Sequence, residues 1–324
     1  MTLSREPENT SLPNMENIPL IIRVRLFDTP FSGEQELLMS LSAEKLLNQQ
    51  DTLQALSDDE KLRFFIGYTL TKQDLPKNFL INLATVMAFP PTMFLLIAAA
   101  TGSTVLWDEF LKKRSELFLN HEDTQDTEIH AFIWAAGGGH LTLMRNILEL
   151  ATGEARASPQ DAIADLQNHT QEMIRFVDFV AIQSAAVGGH LEIVQWLWTN
   201  CAEQDRQKML EPGSGSYSRI FEAAATGGHL EIVQWLWSNY PQQHRQSLLE
   251  FERSLRFQAF QDAAEGGHLD TVEWLFQHCA PERRQDMIAT DDFQALHSLK
   301  NKGHHALITQ WLAFPRVFAY AEAH

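Results

Sequence analysis

Cysteine is scarce, basic clusters are scarcer, and the first 120 residues hold neither cysteine nor histidine. Cys201 and Cys279 are the two thiols, and each follows a tryptophan by five residues. That places them at equivalent points of a repeating pattern, two layers apart. Stacked helices lie about 8–10 Å apart, so the pair falls beyond the roughly 7 Å Cα separation that a disulfide tolerates. A disulfide scaffold is excluded and a reducing compartment is expected.

The longest basic run is Lys112-Lys113-Arg114, in a chain of net charge −17 and pI near 5.1. Phosphate backbones and anionic lipid repel such a surface, so no nucleic acid is expected as a partner. Long apolar runs are missing too. The most apolar segment, 79–100, is interrupted by Asn82 and by Pro90-Pro91, which predicts helix, turn and helix rather than a membrane insertion. The leader 1–16 is polar, lacks a signal-peptide core and is expected to be disordered.

Catalytic patterns are also lacking. Without His or Cys ahead of residue 121, residues 17–92 contain no Cys–His or Ser–His–Asp arrangement. There is no phosphate-binding glycine loop with lysine, no His-Glu-x-x-His and no Cys-x-x-Cys. Asp58-Asp59 is read as a helix N-terminal pair serving the dipole. No enzyme activity, cofactor or metal is expected.

What the chain has instead is repetition. Gly188-Gly189-His190-Leu191-Glu192-Ile193-Val194-Gln195-Trp196-Leu197-Trp198 returns letter for letter at 227–237 and closely at 266–276, a spacing of 39 residues. A period of this size marks a solenoid whose units bury their apolar faces only against neighbours. Each unit reads as a helix pair. The first helix ends in two small residues: Ala99-Ala100, Ala135-Ala136, Ala185-Ala186, Ala224-Ala225 and Ala263-Ala264. A large apolar residue stands three before each pair: Leu96, Phe132, Ile182, Phe221 and Phe260. Small residues admit close helix approach while the large one fills the layer. Glycine then ends the helix in a left-handed conformation, and the second helix carries a broad apolar face.

A sixth unit aligns Leu296 and Leu299 with this frame, but Lys300 and Lys302 replace an alanine and a glycine. A terminal repeat needs a wettable outer face, so 296–314 is expected to cap the array. The expected organisation is therefore leader 1–16, helical region 17–92, repeat array 93–314 and tail 315–324, all-α. Three or four helices are expected over 32–90, with capping boxes at Ser32 to Gln35 and Ser57 to Glu60. Residues 21–27 fit either a short strand or a helix.

The pattern Ala-Ala-x-x-Gly-His-Leu-Glu-Ile-Val-x-x-Leu, over 185–197 and 224–236, resembles the core of the ankyrin repeat. The usual Thr-Pro-Leu-His start and the Gly-Ala-Asp-x-Asn hairpin are missing. In the hairpin's place stand the longer connections 201–216, 240–253 and 279–292, with apolar pairs Met209-Leu210, Leu248-Leu249 and Met287-Ile288. These predict an extra short helix or an irregular finger. The lengthened style, with Trp-Leu closing the second helix, resembles ankyrin effectors that intracellular bacteria inject into host cells. That resemblance implies a cytosolic protein that passes from bacterial cytoplasm to host cytosol. It also implies a monomer that binds a host protein on its concave face. Ile18-Pro19, Ile22 and Leu26-Phe27 are similar to the opening of an F-box, which implies an alternative in which 17–92 acts and the repeats select a target.

His140, His190, His229, His268 and His304 recur once per unit. Rungs about 10 Å apart cannot share a metal whose ligands lie near 2 Å, so each is read as a turn residue bonding backbone at the helix start. Trp196, Trp198, Trp235 and Trp237 are read as packing residues, with one ring of each pair partly exposed. The partner-binding set comprises residues beside the alanine pairs: Trp134, Gln183, Ser184, Glu222, Gln261, Asp262 and Glu265. Their polar and acidic character implies a partner with a basic surface.

Overall fold

A computed structural model describes residues 32–71, 75–76, 78–89, 91–113, 121–152, 179–211, 215–249 and 257–304. The leader, the 21–27 segment, the F-box-like 18–27, the second helix of the sixth unit and the tail 315–324 lie outside these residues. Among those described, every regular element is helical. The chain divides into two compact units, 1–151 and 152–324.

Unit 1 begins with α1 (Gly33–Ser40), α2 (Ala43–Leu47), α3 (Gln50–Ala55), α4 (Asp58–Thr71) and α5 (Phe79–Val86). Five helices stand where three or four were expected. Extended Leu41 and Leu56 bound the 41–57 region, and the non-helical Gln49 (φ −98°, ψ 39°) splits it into two short pieces. Both predicted capping boxes form. Gln35 N donates to Ser32 Oγ while Ser32 N donates to Gln35 Oε1, and Ser57 and Glu60 reciprocate likewise. Leu62, Phe64, Phe65 and Tyr68 on α4 are buried.

Two helix pairs follow: α6 (Pro91–Thr101) with α7 (Thr104–Lys113), and α8 (His121–Gly137) with α9 (Leu141–Thr152). Helix α4 packs on α6, α5 on α7, and α6 on α8. In the first pair the frame shifts by one residue from the predicted one. Gly102 takes the left-handed position (φ 69°) that Gly139 takes in the next unit (φ 82°). Counting back from it, the alanine pair is Ala98-Ala99 and the layer-filling residue is Leu95, which is buried, whereas Leu96 is half-buried. A run of three alanines hides the register; the glycine's backbone reveals it.

In unit 2 the pairs are α10 (Val180–Val187) with α11 (Leu191–Asn200), α13 (Ser216–Thr226) with α14 (Leu230–Asn239), and α16 (Gln258–Gly266) with α17 (Leu269–His278). First helices pack in series, α10 on α13 on α16, and then on α18 (Arg284–Asn301); α11, α14 and α17 pack in series behind them. This is the ankyrin-like all-α arrangement. Every paired alanine is fully buried, as are Ile182, Phe221 and Phe260. The turns close identically. His190, His229, His268 and His304 donate N–H to the residue five before, and the glycine ahead of each donates to the residue three before it. Those two bonds form the Schellman motif, which satisfies two of the carbonyls left open at the close-packed helix end.

The lengthened connections are short helices. They are α12 (Glu203–Leu210), a 3-10 turn at Gln242–His244 running into α15 (Gln246–Leu249), and a 3-10 turn at Pro281–Arg283 running into α18. Met209, Leu248-Leu249 and Met287-Ile288 are buried. The third finger continues directly into the sixth unit's first helix, jointed at Phe293 (φ 62°). Each finger returns an arginine to the end of the preceding second helix. Arg206 donates to the Trp198 carbonyl, Arg245 to those of Ser238 and Tyr240, and Arg284 to those of Gln277 and Cys279. A cation is favoured there by the helix dipole and satisfies carbonyls left without an intrahelical donor. Cys201 and Cys279 are buried and not joined in a disulfide, and burial pushes the Cys201 thiol up to about 11.

Candidate interaction surface

The residues singled out beside the alanine pairs fall into rows, because successive first helices are in register. Two positions before the first alanine stand Gln183 on α10, Glu222 on α13 and Gln261 on α16; one position before stand Ser184, Ala223 and Asp262. Two positions past the first alanine stand Val187, Thr226 and Glu265. Gln183, Glu222 and Asp262 are half-buried and Glu265 is exposed. Ser184 and Gln261 are buried, and the Ser184 hydroxyl has no hydrogen-bond partner among the described residues. Trp134 lies on α8 in unit 1, 6 % exposed, in the same buried segment as Phe132 and Ile133. The six others belong to unit 2.

Several of these side chains also bind neighbouring repeats together. Thr226 Oγ1 lies 3.1 Å from Asp262 Oδ2 and 2.9 Å from the Glu222 carbonyl of its own helix, so its proton is shared between them. Gln258 Nε2 donates to Asp262 Oδ1 at 2.6 Å, and Gln294 on α18 donates to Glu265. Burial, reinforced by the Asp262 charge and partly offset by Arg219, pushes the Glu222 carboxyl up to about 7. No lysine or arginine forms an ion pair with Glu222 or Asp262 among the described residues. The row is therefore an acidic strip in which the Glu222 charge is disfavoured and no such ion pair compensates it.

The histidines behave differently from the sequence reading. Rather than bonding backbone at its own helix start, His229 places Nε2 2.8 Å from the carbonyl of Val187, and His268 places Nε2 3.0 Å from that of Thr226. Each ring thus reaches back 42 residues to the end of the preceding first helix. The tryptophans are inter-repeat contacts as well. Trp198 meets Trp235 edge-on (6.1 Å between ring centroids, 87°) and Trp237 meets Trp274 (5.5 Å, 89°). Trp196, Trp198, Trp235 and Trp237 are all half-buried, so both rings of each within-helix pair are partly exposed where one was expected to be.

Three groups of contacts escaped the sequence reading: Thr226 with Gln258, Gln294, and the finger arginines. The arginines carried a signal, since 206, 245 and 284 are spaced by the same 39 residues as the glycine–histidine turns. Among the described residues no group of three or more His, Cys, Asp or Glu is placed to hold a metal ion, and no helix is long and apolar enough to cross a membrane.

No family model matches the chain, and no curated protein matches it. Among solved structures it is similar to an ankyrin repeat family protein from Legionella pneumophila. The sequences are 19% identical, the match covers 95% of this chain and 93% of the other, and the TM-score is 0.48.

Proposed function

We propose that the repeat array is a non-enzymatic recognition module that binds a protein with a basic surface along the first-helix face of unit 2. The observation that carries this reading is the acidic strip, in which Glu222 and Asp262 stand on adjacent helices and the burial and charge of the pair push the Glu222 carboxyl up to about 7. A lysine or arginine brought by a partner would restore the carboxylate on Glu222 and remove the repulsion between the two. Gln183 on α10 extends the polar row to the preceding helix, and Glu265 lengthens it along α16. Ser184 and Gln261 underlie this surface with buried side chains, while Trp134 belongs to the buried part of unit 1. The working place proposed is host cytosol, with the protein delivered as a bacterial effector. Support for that part is the resemblance of the lengthened Trp-Leu repeats to such effectors.

The test is capture from eukaryotic cytosol on the full chain, with mass spectrometry, beside the double variant Glu222→Gln, Asp262→Asn. Both substitutions keep volume and hydrogen-bonding capacity while removing charge. A partner held by the wild type, released by the variant and weakened by salt supports the reading. A partner held equally by both removes the acidic strip from consideration.

A further inference from the structure

We propose that the glycine–histidine joints of unit 2 form an acid-sensitive latch, in which protonation of His229 and His268 loosens each first helix from the one before it at the turn edge. The argument is geometric. Each ring sits on the left-handed glycine of the preceding unit. A Cβ built on Gly189 would lie 2.5 Å from Cε1 and 2.6 Å from Nδ1 of His229, and one on Gly228 would lie 2.2 Å from Nδ1 of His268. The ring therefore fills the volume that any side chain on the glycine would need.

The carbonyls of Val187 and Thr226 can only accept, so the nitrogen facing them, Nε2, carries the proton of the neutral ring. A second proton must go to Nδ1. That atom is pressed against the preceding glycine, and among the described residues it has no hydrogen-bond partner in either ring. A charged ring would lack a protein acceptor at that nitrogen and would carry its charge at a half-buried, close-packed joint. The charges that act on the rings are positive: His268 on His229, and Lys302 on His268. Glu231 and Asp270, the acids nearest in sequence on the same helices, are exposed in the first turns of α14 and α17. Burial lowers both rings below the usual value of 6.5, against the raising effect of the carbonyl bond.

The sign follows from linkage. Unfolded histidine binds its proton near 6.5, and the folded rings bind it only at lower pH. The latch is fully closed above that value and weakens as pH falls through the folded values. Because the rings share one edge, charging one raises the cost of charging the next, and Lys302 ends the row with a permanent charge.

The experiment uses the full chain and follows the ring titrations by NMR, amide exchange at the turns, and thermal melts from pH 8 to pH 5. His229 and His268 should titrate below 6.5 as Nε2–H tautomers. Exchange at the His229 and His268 amides, corrected for intrinsic rate, should rise about tenfold from pH 7 to pH 5.5. In the double variant His229→Gln, His268→Gln, the pH dependence of the melting temperature should flatten relative to wild type. Rings that titrate at or above 6.5, or turn amides whose corrected exchange does not change, would overturn the latch. Either result is obtained on the wild-type protein even if the variant does not fold.

Discussion

The imidazole of His229 occupies the place where a side chain on Gly189 would have to go, 2.5 Å from the would-be Cβ at its nearest atom. Gly189 is also left-handed, at φ 81°. Gly189→Ala therefore meets two penalties, about 1–2 kcal/mol for the backbone conformation and about 1–3 kcal/mol for overpacking the joint. Gly215 separates them, since it has φ 74° but nothing within 4 Å of its Cβ position. Gly215→Ala should cost only the backbone part. In a His229→Ala background, the cost of Gly189→Ala should drop to the Gly215 value. Denaturant midpoints of the four variants and wild type measure this, and an undiminished cost would show that the ring is not the obstacle.

Arg245 illustrates how the lengthened connections act. Its Nε and Nη2 donate to two carbonyls, of Tyr240 and Ser238, at 3.2 Å and 3.1 Å. Hydrogen bonds from a charged group to a helix end are worth about 1.5–3 kcal/mol together when partly shielded. Arg245→Ala should lose about that much. Arg245→Lys should recover less than half, because an ammonium cannot reproduce the fork that spans both carbonyls. Full recovery with lysine would reduce the role to charge alone.

The repeat frame was legible because three local rules agree within each unit: small residues at the close approach, glycine where the backbone turns left-handed, and apolar residues on the second helix. At Ala98-Ala99-Ala100 the first rule became ambiguous, and the frame slipped by one residue until the Gly102 conformation fixed it. Contacts between units were less legible. Nothing in the neighbours of His229 says that its ring bonds Val187 rather than its own turn, since that bond depends on how far one layer is displaced over the last. Trp134 shows the same limit. A large aromatic beside an alanine pair suits a surface anchor or a core residue equally, and the structure places it at 6 % exposure.

The aromatic contacts should be energetically coupled across the repeat boundary. Trp237 and Trp274 meet edge-on at 5.5 Å, and His278 stacks on Trp274 at 3.8 Å. A double-mutant cycle of Trp237→Leu and Trp274→Leu should give a coupling of about 0.5–1.5 kcal/mol beyond lost area. Trp196 and Trp274 stand at the same position of units two repeats apart, so Trp196→Leu combined with Trp237→Leu should be additive. Equal coupling in both pairs would mean that tryptophans stabilise the units without joining them.

Glu222 gives the sharpest test of the acidic strip, because stability and binding should respond to it in opposite senses. Burial and the Asp262 charge push its carboxyl up to about 7 from an ordinary 4.5. A carboxyl raised by folding holds its proton more tightly in the folded state. Its contribution is therefore fully favourable below 4.5 and is lost as pH rises through about 7. Glu222→Gln cannot ionise, so it should become more stable than wild type as pH rises. The gain should reach about 3 kcal/mol at pH 8 and shrink to about half that by pH 5.5. His229 and His268 are present in both proteins, so their acid sensitivity cancels in the difference. Binding to a basic surface needs the carboxylate that folding disfavours. Wild-type affinity should rise through pH 7, while the glutamine variant, though more stable, should bind weakly at every pH. A variant that gains no stability at pH 8 would show that Glu222 is solvated. One that gains stability and still binds normally would place the partner elsewhere on unit 2.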